Sequence, residues 1–188
     1  AEDGIRDLVR SRGLGDVYKR QTCKKSYQAV QKCRDHNIPD VVAYDAGIMD
    51  WARKYPQDSV LLGVSPVNPQ RLISKSDFEK RLVAPDKFEA MLADRNVIVV
   101  DVRDRFQREG LSLFPGIDQQ AYLDDKQKLD KYINKAKSEN KTLLIYDAAG
   151  KQVRWLMYYL EDKELPNYGF MKGGASAYYA NLRQRFVQ

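Results

Sequence analysis

The chain has 188 residues, 43% of them hydrophobic and 31% charged, the balance of a soluble globular protein with room for one domain and part of a second. No apolar run approaches the roughly 18 residues that suggest a membrane span. The net charge of +6, from 32 basic and 26 acidic residues, is spread without a Lys/Arg block, so neither a membrane span nor a nucleic-acid partner is expected.

Residues 1–21 show no helical or alternating period and no signal-peptide pattern, and read as a poorly specified leader of foreign or truncated origin. From Lys24 onward, Tyr27, Val30 and Cys33 mark a short amphipathic helix ending around residues 35–37. Residues 40–44 predict a short strand, and Asp45-Ala-Gly47 turns into a last helical turn at residues 48–51. The two cysteines, Cys23 and Cys33, and the single His36 make neither a disulfide framework nor a metal site by spacing. No cofactor is expected, and a cytoplasmic and a periplasmic location both stay open. Cys33 reads as a small core-facing hydrophobe and His36 as a solvated helix end. Pro56, Pro66, Pro69 and Pro85 punctuate the next stretch, so residues 57–81 read as a linker, within which Val60, Leu61 and Leu62 could pack on a neighbouring domain.

The second half is more regular. A helix over residues 85–93 carries Phe88, Met91 and Leu92 on one face, and Val97-Ile-Val-Val-Asp101 is a β-branched run suited to a strand buried on both faces. A polar stretch follows, then a turn at Phe114-Pro-Gly-Ile117 and a helix over residues 125–139 with Leu129, Tyr132, Ile133 and Ala136 at helical spacing. Leu143-Leu-Ile-Tyr146 forms a second buried strand, which delivers Asp147. A helix bearing Trp155, Leu156, Tyr159 and Leu160 ends near Pro166, and a third strand at residues 168–170 leads through Met171-Lys-Gly-Gly174 to a final aromatic helix. Strands alternating with helices predict an α/β fold, a parallel central sheet with helices on both faces.

The stretch from Thr142 to Trp155 has the strand, small-residue loop and helix order of an α/β active-site loop. Such a loop aims backbone N–H groups at one point and favours an anion at the helix N-terminus. Here a carboxylate, Asp147, heads the loop. Two uses fit: a small anion held by the amides of residues 148–151, or Asp147 accepting the loop's own N–H bonds and capping the helix.

Over most of residues 82–182 the chain resembles the rhodanese-like (sulfurtransferase) family. The matching features are the strand ending in Asp101-Val-Arg103, the turn holding Pro115 and Gly116, the loop after the second buried strand, and the Gly173-Gly174 pair before Tyr178. The resemblance implies a rhodanese-like three-layer fold and a loop of pattern Cys-x-x-Gly-x-Arg-Ser/Thr, whose cysteine carries sulfane sulfur as a persulfide. That chemistry needs a thiol readily ionised in an electropositive loop. Laid on this chain, the pattern runs Asp147, Ala148, Ala149, Gly150, Lys151, Gln152, Val153, with Asp147 at the cysteine, Gly150 at the glycine, Gln152 at the arginine and Val153 at the hydroxyl residue. No residue is left to act as the catalytic nucleophile.

The family template also meets the start of the chain. Ser26 aligns with Val153 and Trp51 with Tyr178 at a constant offset of 127 residues (153 − 26 and 178 − 51), pairing Asp35 with Asp162, Pro39 with Pro166 and Gly47 with Gly174. The same offset puts Arg20 at the nucleophile position and Cys23 at the glycine position. The resemblance therefore implies a tandem protein: residues 22–56 as the C-terminal remnant of a first copy, residues 57–81 as linker and residues 82–188 as a complete second copy lacking the cysteine. The expected role is non-catalytic, structural, binding or regulatory, with a protein partner or the missing first domain. The alternative is a fragment of an active thiosulfate or persulfide sulfurtransferase whose catalytic cysteine lies in that first domain.

Overall fold

The computed structural model describes residues 24–44, 47–108 and 111–187. The leader at residues 1–21, with Arg20, and Cys23 lie outside them. The chain divides at Leu72 and Ile73 into two compact units.

In the first unit, helix α1 (Lys24–Asp35) is followed by α2 (Ile48–Lys54) and by short 3-10 turns at Pro56–Asp58 and Pro69–Arg71. The Trp51 ring packs edge-on against Tyr44 at 5.1 Å and at a tilt against Tyr55 at 4.5 Å. Residues 40–44, expected as a strand, form neither strand nor helix. Among the described residues no strand pairs with them, and an extended segment cannot satisfy its backbone groups alone. Val60 is 68% and Leu62 46% exposed.

The second unit opens with α3 (Lys75–Lys80), a helix inside the stretch whose composition suggests a linker. Ser74 caps it, its Oγ accepting the Asp77 N–H at 3.1 Å, and this cap was hidden among the prolines and serines. Phe78 is buried at 5.8 Å from Phe170. The remaining elements are β1 (Leu82–Val83), α4 (Pro85–Met91), β2 (Val97–Asp101), α5 (Arg105–Arg108), β3 (Asp118–Gln120), α6 (Lys126–Ser138), β4 (Thr142–Tyr146), α7 (Val153–Asp162), β5 (Tyr168–Met171) and α8 (Gly174–Val187). The five strands form one all-parallel sheet in the order β1-β5-β4-β2-β3.

The core follows from strand alternation. Val99, Leu144, Tyr146 and Met171 turn to one face and bury Phe88 of α4, Phe114, and Ala175 and Tyr178 of α8. Ile98, Val100, Leu143, Ile145 and Phe170 turn to the other, where α6 lies on β2 and β4 with Leu129, Ile133 and Ala136 inward. Tyr178 also donates to Glu89 Oε1 at 2.9 Å and Arg185 Nη1 lies 2.7 Å from Glu89 Oε2. Arg185 and then Tyr178 hold the Glu89 carboxyl below its ordinary range, which ties α8 to α4. The edge strands β1 and β3 and the four-residue α5 carry no readable period in the sequence; β3 exists because Asp118–Gln120 pair with residues 99–101. Among the described residues no helix is long and apolar enough to cross a membrane.

Candidate functional site: a backbone cradle closed by Asp147

The loop joins the carboxyl end of β4 to the first turn of α7. Asp147, 1% exposed, turns back into its own loop. Its Oδ1 accepts the N–H of Ala149 at 3.1 Å and that of Gly150. Its Oδ2 accepts Lys151 at 2.9 Å, Gln152 at 2.7 Å and Val153 at 3.4 Å. All five partners are backbone amides, and they include donors that a helix start otherwise leaves unmatched. The Lys151 side chain is exposed and that of Gln152 half-buried.

Two glycine positions make this approach of backbones possible. Gly150 has φ 70°, and a Cβ there would sit 2.6 Å from the Gly173 nitrogen. Gly174 has φ 61°, and a Cβ there would sit 2.5 Å from the Asp147 carbonyl oxygen and 2.7 Å from Asp147 Oδ1. The start of α8 is then bolted to the loop: Ala175 N–H donates to Asp147 O at 2.8 Å, Ser176 N–H to Ala148 O at 3.0 Å and Ser176 Oγ to the same oxygen at 2.8 Å. Gly174→Ala is expected to cost about 3 kcal/mol, combining about 1–3 kcal/mol of overpacking with about 1–2 kcal/mol for a left-handed non-glycine residue. Urea unfolding measures it, and a loss below about 0.5 kcal/mol would mean that the loop and helix start separate freely.

The other residues singled out from the sequence lie apart from the cradle. Asp101 and Arg103, 0% and 3% exposed, sit at the end of β2, where Arg103 Nε and Nη2 donate to Asp101 Oδ1 and Oδ2 at 3.0 and 2.9 Å. Burial works against the Arg103 charge, but the Asp101 carboxylate outweighs it and raises the guanidinium's pKa. Arg103 also lies over the Tyr146 ring at 5.3 Å and donates to Leu111 O at 2.8 Å. Pro115 and Gly116 form a turn, Gly116 at φ 81°, in which Ile117 and Asp118 N–H both return to Phe114 O, at 3.0 and 3.1 Å. Three contributors escaped the sequence reading: Arg108, whose Nε is 2.9 Å from Asp101 Oδ2; Asp118, which accepts from the Tyr146 hydroxyl; and Ser176. Arg108 and Asp118 come from segments without apolar period; only the position of Ser176, two residues beyond the glycine pair, could have drawn notice. Burial, then the Asp118 contact, pushes the Tyr146 phenol well above its ordinary range.

Chemically, a carboxylate that is out of solvent and has both oxygens committed to five backbone N–H bonds is poorly placed to attack a substrate. Among the described residues no group of three or more His, Cys, Asp and Glu side chains could hold a metal ion. The fold and loop define an α/β domain with a cradle of backbone N–H groups at a helix start, filled by Asp147. The rhodanese-like domain family matches residues 84–181, just over half of the chain, and the chain belongs to that family. Among solved structures it is similar to a protein of unknown function, a possible tyrosine phosphatase, from Rhodopseudomonas palustris (19% identity, 54% of this chain and 80% of that one, TM-score 0.45). It is also similar to a rhodanese-like domain protein from Staphylococcus aureus (21%, 52% and 90%, TM-score 0.44) and to a Helicobacter pylori protein (19%, 55% and 86%, TM-score 0.43). No curated protein matches the chain.

Proposed function

We propose that residues 82–188 are a rhodanese-like domain without sulfurtransferase activity, kept for a structural, binding or regulatory role beside a second copy. The observation that carries this reading is the Asp147 carboxylate filling the cradle through the N–H groups of Ala149, Gly150, Lys151, Gln152 and Val153. Asp147 stands where the family carries its cysteine. A carboxylate holds no persulfide, its charge repels thiosulfate, and it takes the place that a small external anion would fill. Thiosulfate-to-cyanide sulfur transfer tests the reading: no turnover above buffer is expected, and turnover that survives Cys23→Ser with Cys33→Ser would sink it.

The second copy of the proposal is the one whose C-terminal part is residues 22–56, and the connection runs within residues 57–81, of which α3 already belongs to the second unit. In its support, α1 and α7 end alike at the offset of 127. His36, Asn37 and Ile38 N–H donate to the carbonyls of Lys32, Arg34 and Cys33, at 3.1, 2.9 and 2.9 Å. Lys163, Glu164 and Leu165 donate to those of Tyr159, Glu161 and Leu160, at 3.0, 3.0 and 3.1 Å. Asn37 and Glu164 are both left-handed, φ 56° and 52°, as are Gly47 and Gly174, φ 77° and 61°. The register departs at Asp40, left-handed at φ 58°, which has no such counterpart in Asn167. This repetition also favours the alternative, an active sulfurtransferase parent with its cysteine in the first copy. The native coding sequence upstream of Gln21 decides it: a strand that leads into a Cys-x-x-Gly loop with its cysteine just before Gln21 is required there.

A further inference from the structure

The family matches residues 84–181, yet α7 also holds chain that comes before that span. The second unit begins at Ile73. Its N–H donates to the Tyr158 hydroxyl at 2.9 Å, and its carbonyl accepts from Arg154 Nη2 at 3.1 Å. Both side chains are buried, Arg154 at 8% and Tyr158 at 4% exposure, and their i, i+4 spacing sets them on one face of α7. Phe78 of α3 adds to the contact from the same strap of chain: its buried ring lies 6.0 Å from the Arg154 guanidinium and 5.8 Å from the Phe170 ring. The residue before Arg154 is Val153, whose N–H, with those of Lys151 and Gln152, is held by Asp147 Oδ2. The start of α7 is thus pinned twice, by Asp147 at its N-terminus and by Ile73 through its side chains.

We propose that this double hold is a latch: the strap at Ile73, the cradle loop and the first turns of α7 open and close as one unit, so that lifting Ile73 off α7 unseats Asp147. The physical link is the Arg154 charge. Under the strap its guanidinium is out of solvent, where a charge is tolerated only while it is hydrogen-bonded. When Ile73 leaves, water reaches the guanidinium, which gains by turning outward and draws with it the backbone turn that carries the Gln152 and Val153 amides. The coupling is reciprocal by linkage: freeing Asp147 loosens the same turn, which presents Arg154 and Tyr158 to Ile73. The cradle then answers to whatever moves the chain ahead of residue 73, which makes the strap a regulator of that site. The latch rests on Asp147 filling the cradle, as the proposed function does, but not on the absence of sulfur transfer.

Residue-resolved amide exchange on the full chain tests it. Tyr158→Phe removes the hydroxyl that Ile73 meets and keeps the ring, which stacks on Trp155 at 5.8 Å. Exchange at Ile73 is expected to quicken by about tenfold or more, and that at Lys151, Gln152 and Val153 with it, while Leu144 and Ile145 of β4 keep their rates. Asp147→Asn, which sets an NH2 group where a carboxylate oxygen accepted, is expected to quicken the same amides, Ile73 included. A variant that leaves the amides at the far end of the latch at their original rates overturns the proposal. Where a variant quickens β4 as well, the unmodified chain decides. In low urea its Ile73, Gln152 and Val153 amides are expected to share one opening equilibrium and one urea dependence, and separate slopes overturn the latch. The two readings fail apart: sulfur transfer by this chain ends the inactive domain and leaves the latch standing, whereas uncoupled exchange ends the latch alone.

Discussion

Asp101→Ala is expected to destabilise the second unit by about 3–5 kcal/mol, the cost of stripping one partner from a buried ion pair. Asp101 is 0% exposed and meets two guanidinium groups, Arg103 at 3% and Arg108 at 20% exposure. The loss falls unequally on them. Arg108 sits on the short α5 and can turn to water, which screens its charge. Arg103 cannot, since it lies buried over the Tyr146 ring and keeps the Leu111 carbonyl, a neutral partner, in place of the carboxylate. Joint replacement of Asp101, Arg103 and Arg108 by apolar residues of similar volume should recover most of the loss, because a buried charge costs more unpaired than absent. Urea unfolding followed by Trp155 fluorescence in a Trp51→Phe background reads the second unit alone. A loss below about 1 kcal/mol for Asp101→Ala would contradict the argument.

Asp101 and Arg103 also show where sequence reasoning stops. Their place at the end of a buried strand was legible, because Val97–Asp101 is a β-branched run. Their role was not, because the third partner, Arg108, comes from a polar segment with no period. The same division runs through the fold. Strands β2 and β4 and helix α6 announce themselves by continuous or periodic apolar residues, whereas β3, with the sequence Asp-Gln-Gln, exists only through its neighbour β2. Helix α3 was masked by proline and serine composition, although Phe78 anchors it. The segment at residues 41–44 has strand-like residues and no strand, and no described strand lies beside it. At the cradle, the sequence supplied Asp147 and the glycines; that a Gly174 Cβ would collide with Asp147 itself is a matter of distance between residues far apart in the chain, which no local pattern carries.

Asp147→Ala is expected to turn a self-filled cradle into an empty one. Five backbone N–H groups lose their acceptor at once, each costing about 1–3 kcal/mol if left dry and unsatisfied. Ala149 and Lys151 are exposed, so water reaches part of the space and lowers the sum; a net loss of about 3 kcal/mol is the expected order. The anion preference of converging amides at a helix start remains. Sulfate or thiosulfate should therefore restore the variant, by about 1.4 kcal/mol at ten times the dissociation constant, and leave the unmodified chain unchanged at the same ionic strength. Sodium chloride at matched ionic strength separates occupancy from screening. If the unmodified chain gains as much as the variant, the carboxylate is not the occupant of the cradle, and the case for a domain silenced by Asp147 goes with it. If Asp147→Ala loses nothing and gains nothing, the five bonds are incidental to the loop, whose shape is then held by Gly150, Gly174 and the Ser176 contacts alone.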